Sequence, residues 1–141
     1  MSTTPSHDNS FFTRLKSMVS SEWTEYCEHD FVKQLGEGTL PEAAFREYLV
    51  QDYIFLIHFS RAWALAVYKA EDLEDMRSAA TTLNALLNHE MNLHVMFASR
   101  FGVSPADMEQ APEKTANLAY TRFVLERGMA GDVLDRNLSF L

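Results

Sequence analysis

The chain holds a single cysteine, Cys27, in 141 residues, so no internal disulfide can form and the small, disulfide-stapled secreted class is excluded. Positive charge is also scarce. Twelve Lys and Arg stand against 20 Asp and Glu, a formal net charge of −8 that leaves no basic footprint for a phosphate backbone. No long apolar run is present: the most apolar stretch, Tyr53 to Tyr68, is interrupted by His58 and Arg61 and falls short of the roughly 20 residues that cross a bilayer. The residues after Arg14 and Lys16 are too few and too polar for the core of a signal peptide. These absences predict a cytoplasmic protein with neither a nucleic-acid partner nor a membrane to bind. Nowhere does a run alternate apolar and polar residues, and no Asn-Gly or Asp-Gly hairpin signal occurs; strands are not expected, and the fold class is all-α.

What is present is helical periodicity. Met1 to Ser10 has the composition of a disordered leader, and residues 11–141 form the expected domain, long enough to bury a core without staples. Phe11, Phe12, Leu15, Met18, Val19, Trp23 and Tyr26 recur at helical steps and predict a first helix that stops near Gly36 and Gly38. Thr39, Pro41 and Glu42 signal the start of a second. It is long, free of glycine and further proline from Pro41 to Ala70, with Phe45, Leu49, Leu56, Phe59, Trp63 and Val67 along one face. The acidic run from Glu71 to Asp75 opens a third helix, carried through Leu83, Leu86, Leu87, Met91, Leu93, Phe97 and Phe101 to Gly102. Ser104-Pro105-Ala106-Asp107 predicts a short capped helix, Thr115 to Arg127 a fourth major helix ending at Gly128, and Gly131-Asp132 the start of another turn. A helical bundle is the expected architecture.

One residue breaks the second helix's apolar face. Asp52 completes the spacing between Leu49 and Leu56, where a core side chain belongs. Burying an unpaired carboxylate costs several kcal/mol, so Asp52 must be paired across helices, protonated, or turned to a polar cavity or ligand. Tyr48, Tyr53, Phe55 and Phe59 lie within two turns of it. Aromatic faces beside a hydrogen-bonding carboxylate suit a flat nitrogenous ring, although aromatic residues at this spacing also build ordinary cores.

Phe31-Val32, Gly36-Glu37-Gly38-Thr39-Leu40-Pro41 and Phe45 through Tyr53, with its Gln51-Asp52-Tyr53, stand in one order with His58-Phe59, Glu90-Met91-Asn92-Leu93-His94 and Ala119-Tyr120-Thr121. This ordered set resembles the TenA/Thi-4 family, from about Phe11 to Asp135. The resemblance implies a heme-oxygenase-like bundle without heme or other cofactor. It implies hydrolysis of the aminomethyl-pyrimidine breakdown product of thiamine to the hydroxymethyl-pyrimidine (thiaminase II activity), and assembly into homo-oligomers, in this family commonly tetramers. By the same resemblance Asp52 holds the amino-pyrimidine edge of a small aminopyrimidine substrate. Phe55 stands where the family has a pocket tyrosine, keeping the ring and losing the hydroxyl, and Tyr120 matches a second pocket tyrosine. The family's nucleophilic cysteine and acidic proton donor fall beyond Leu141, so the bundle is expected to be incomplete at its C-terminal side and its catalytic residues are unassigned. Residues 136–141 depart from the family pattern.

Other constellations compete. Cys27 matches no family catalytic position. His89, Glu90 and His94 are spaced H-E-x-x-x-H, unlike a zinc-protease helix. Glu25 with His29 and Glu90 with His94 are the acid-histidine pairs that a di-metal oxygenase would use, but the full ligand set is not assembled and no metal is expected. His58 is read as a core or interface histidine, and the Glu71 to Asp75 run as a solvated helix start. A non-catalytic helical binding or oligomerisation fragment is the remaining alternative.

Overall fold

Backbone geometry divides the expected first helix into three: α1 (Phe11–Met18), α2 (Ser20–Cys27) and α3 (Asp30–Glu37). The molecule is known from a computed structural model that describes residues 11–131. The expected leader, the turn expected beyond Gly131 and residues 136–141 lie outside the described residues. Two compact units emerge, one ending at Pro41 and one beginning at Glu42.

In the first unit the apolar period runs on across Val19 and Glu28, but the backbone does not. Val19 leaves helical geometry at φ −123, and His29 is extended at φ −60 and ψ 139. His29 then caps α3, its Nδ1 accepting the Phe31 amide at 3.1 Å. Phe12 meets Trp23 edge-to-face at 5.6 Å, and the Lys16 ammonium lies 4.8 Å from the Trp23 centroid. Gly36 is helical, inside α3. The stop is Gly38, left-handed at φ 72, where the Thr39 and Leu40 amides turn back to the Gln34 carbonyl.

The second unit is organised by α4 (Glu42–Lys69), 28 residues and so about 42 Å of helix. It packs against every other helix of the unit: α5 (Leu73–Ala85), a π-helical segment (Leu86–Glu90), α6 (Met91–Arg100), α7 (Pro105–Gln110) and α8 (Thr115–Ala130). The expected third helix is thus one rod interrupted by a π turn. Asn92 Nδ2 donates to the Asn88 carbonyl at 2.7 Å, supplying a donor where the widened turn disturbs the backbone ladder. Helix α8 runs past the expected stop at Gly128. That glycine is buried within the helix, and the end comes at Gly131.

Leu49, Tyr53, Ala98, Val103 and Met108 form a buried cluster, with Phe45, Ile54, Ile57 and Phe101 packed on it. Two polar devices tie α4 to α8, and a third caps α7. Gln51 binds the start of α8: its Nε2 donates to the Pro112 carbonyl at 3.0 Å and its Oε1 accepts the Lys114 amide at 2.8 Å. Lys69 donates to the Met129 and Gly131 carbonyls at the other end of α8. Ser104 and Asp107 close a capping box on α7. No strand occurs among the described residues, so the all-α expectation holds. None of the described helices is long and apolar enough to cross a membrane.

Candidate functional site

Between α4 and the rod of the π segment and α6 lies a cleft of about 550 Å³, in the range that takes small organic ligands. From α4 it is lined by Phe45, Tyr48, Asp52, Phe55 and Phe59, and from the facing rod by Glu90, Leu93, His94 and Phe97, among others. The helical period explains the α4 contribution: residues 45, 48, 52, 55 and 59 fall on one face. The rings form an apolar wall in two groups. Phe55 stacks on Phe59 at 5.2 Å, and Phe45 lies 6.0 Å from Tyr48 and 5.9 Å from Phe97.

Asp52 points into this wall with its side chain 26% exposed, and His94 of α6, 9% exposed, is its partner: Nδ1 lies 3.2 Å from Oδ2. The other ring nitrogen, Nε2, lies 2.7 Å from the main-chain carbonyl of Leu49. The hydrogen bond to Asp52 raises His94 above the ordinary histidine pKa; burial opposes the shift, and the Leu49 carbonyl reinforces it. The misplaced carboxylate of the sequence is therefore both paired across helices and open to a cleft. Its partner is a histidine 42 positions away.

The structure brings Asp52 and Phe55 into one cleft. Tyr120, on α8, does not line it directly; its ring stacks on Phe55 at 6.0 Å, one ring behind the wall, and is about half exposed. Tyr53, which the sequence groups with these aromatics, turns away into the core, where its hydroxyl donates to Glu109 at 3.5 Å. Sequence reasoning missed His94 as the partner of Asp52. The local signal, Glu90 four residues before it, points along the helix rather than across it.

His58 lies on the α8 side of α4 in a polar cluster. Arg61 Nη1 and Arg122 Nη1 both stand 3.0 Å from its ring nitrogens, and Glu113 Oε1 lies 3.7 Å from Nε2. Burial, then the Arg122 guanidinium, hold its pKa below the ordinary histidine value, Arg61 adding to this and Glu113 opposing it. Glu113 is itself largely buried and is bound by Arg122 Nη2 at 2.9 Å, with the buried Thr121 hydroxyl 3.0 Å away. The cluster ties α8 to α4. Among the described residues no group of three or more His, Cys, Asp or Glu side chains converges to hold a metal. Cys27, the last residue of α2, is exposed.

A model of the TENA/THI-4/PQQC family matches residues 17–141. An uncharacterized protein of Haemophilus influenzae is 42% identical over 80% of this chain and 52% of its own length. The aminopyrimidine aminohydrolase of Halalkalibacterium halodurans is 35% identical over 89% of this chain and 56% of its own. The crystal structure of a TenA family transcription regulator from Silicibacter superposes with a TM-score of 0.88 at 47% identity, covering 92% of this chain and 57% of that one. The chain thus spans little more than half the length of these relatives.

Proposed function

The chain belongs to the TENA/THI-4/PQQC family, and on that premise we propose that its cleft binds a small aminopyrimidine through Asp52. In the whole protein this binding serves hydrolysis of 4-amino-5-aminomethyl-2-methylpyrimidine to the hydroxymethyl-pyrimidine, in cytoplasmic salvage of thiamine's pyrimidine. The observation that carries the reading is a carboxylate set among Tyr48, Phe55 and Phe59 on one wall of a ligand-sized cleft. An exocyclic amine donates to such a carboxylate, and ring faces stack on the flat heterocycle it belongs to. Tyr120, stacked behind Phe55, backs the wall. The name aminopyrimidine aminohydrolase, borne by the Halalkalibacterium relative, supports the same substrate class.

Hydrolysis through a covalent intermediate needs a nucleophile and a proton donor. No cysteine, serine or threonine lines the cleft among the described residues, and Phe55 brings no hydroxyl. The role assigned to Asp52, Phe55 and Tyr120 is accordingly binding and orientation.

Calorimetric titration with the aminomethyl-pyrimidine tests the reading. Binding is expected, weakened about 10- to 100-fold in Asp52→Asn, the worth of one charge-assisted hydrogen bond. Equal heats in the two proteins would remove Asp52 from the site. A second reading, a non-catalytic helical module that self-associates, is favoured by the exposed Leu93, Met96 and Phe97 at the cleft rim. It predicts concentration-dependent assembly and no heat with the pyrimidine in either protein.

A further inference from the structure

His94 has both ring nitrogens against oxygen atoms, and the two constrain it differently. The Leu49 carbonyl at 2.7 Å can only accept, so Nε2 carries a hydrogen in every protonation state that keeps this bond. That bond anchors the ring to the backbone of α4, one turn before Asp52. With Nε2 committed, Nδ1 is an N–H only if the ring is an imidazolium, or a bare lone pair if it is neutral. Opposite a carboxylate oxygen at 3.2 Å, a bare lone pair would repel. The arrangement is satisfied when one proton lies between Nδ1 and Oδ2, and the pair together then carries no net charge.

We propose that His94 is a positioning residue that acts through Asp52: it holds Oδ2 by an Nδ1–H bond and leaves Oδ1 as the cleft's fixed acceptor, in a pair without net charge. This rests on the reading of the cleft as an aminopyrimidine site and deepens it in one respect, ligand charge. A lone Asp52 carboxylate would favour a cationic ring. Neutralised by His94, it favours a neutral ring that offers an N–H, and a hydroxyl or amine donor over a carbonyl acceptor. Loss of the shared proton frees Asp52 from its partner and lowers affinity. The other titratable groups around the cleft are Glu90 and Tyr48, with the Tyr53 ring 6.5 Å from that of His94. Asp52 is the carboxylate hydrogen-bonded to the imidazole.

Two measurements test it. In protein labelled with ¹⁵N-histidine and free of ligand, His94 should show both ring nitrogens protonated at neutral pH. Its titration midpoint should fall in Asp52→Asn. A neutral single tautomer in the wild type, or a midpoint unmoved by the substitution, overturns the proposal. The second measurement is the affinity of 4-amino-5-aminomethyl-2-methylpyrimidine across pH for the wild type and His94→Gln, each checked for native helix content. The ligand's own ionisation is common to both profiles. The wild type should carry an additional step, affinity falling as pH rises through the His94 midpoint, and at the lower pH His94→Gln should bind about tenfold more weakly. A loss of the same size at every pH marks a merely structural histidine and overturns the proposal. If neither protein binds the pyrimidine, the substrate reading fails while the nitrogen spectra still decide the state of His94.

Discussion

Replacing Arg122 with alanine tests the electrostatic linkage within the polar cluster between α4 and α8. Arg122 donates to the largely buried Glu113 at 2.9 Å, a charge-assisted bond of the kind that contributes about 1.5–3 kcal/mol. The guanidinium is half exposed, so screening reduces this to about 1–2 kcal/mol of stability at neutral pH. The same substitution releases His58, because Arg122 is the largest influence after burial holding that imidazole neutral. Glu113, 3.7 Å from His58 Nε2, is then opposed only by burial and Arg61. In the wild type the depressed His58 value means that its contribution is present above the ordinary histidine pKa and is lost as pH falls through the folded value. In Arg122→Ala the folded value rises toward the ordinary one while burial and Arg61 still hold it down, so less stability is lost as pH falls. The cost of the substitution, read from urea unfolding, should therefore be larger near pH 8 than near pH 5.5 by on the order of 1 kcal/mol. His94 titrates in both proteins and cancels in the difference. Equal costs at the two pH values, or a His58 midpoint in NMR titration that does not rise, would refute the linkage.

Gln51→Ala should destabilise by about 1–2 kcal/mol in urea, since it removes bonds to the Pro112 carbonyl and the Lys114 amide whose exposed ends water can partly replace; no change in midpoint would mean α8 docks without this clamp. Met108 is fully buried in the α4–α6–α7 core, so Met108→Ala should cost about 2–5 kcal/mol. A loss below about 1 kcal/mol would show that the core collapses onto the hole.

The helices that periodicity located well are those whose ends carry chemical punctuation. Pro41 and Glu42 start α4 where expected, Ser104 and Asp107 close the anticipated cap on α7, and Gly38 and Gly102 are the two glycines with positive φ. Periodicity failed where a break needs no special residue. Val19 and Glu28 end helices that their apolar spacing would continue, and the π segment at Leu86–Glu90 inserts its wider turn without glycine or proline. Gly128 misled in the opposite direction. A glycine within a helix costs about 1 kcal/mol against alanine, and here it sits buried in α8, where its lack of a side chain permits close packing.

The candidate site was half legible for a related reason. Asp52 announced itself because one helix suffices to reveal a carboxylate on an apolar stripe. Its partner could not be found that way, since the pairing depends on how two helices are rotated toward each other. A π turn advances the chain by one residue relative to the α ladder, and one residue is about 100° of rotation. The residues from Met91 onward therefore present a face that the pattern upstream of Leu86 does not determine. His94, Leu93 and Phe97 reach the cleft on that rotated face. The short insertion that sequence periodicity cannot register is thus what sets an imidazole opposite Asp52. It follows that the electrostatic character of this site, a proton-sharing pair rather than a lone anion, is a property of helix register, and no inventory of residues along either helix would have contained it.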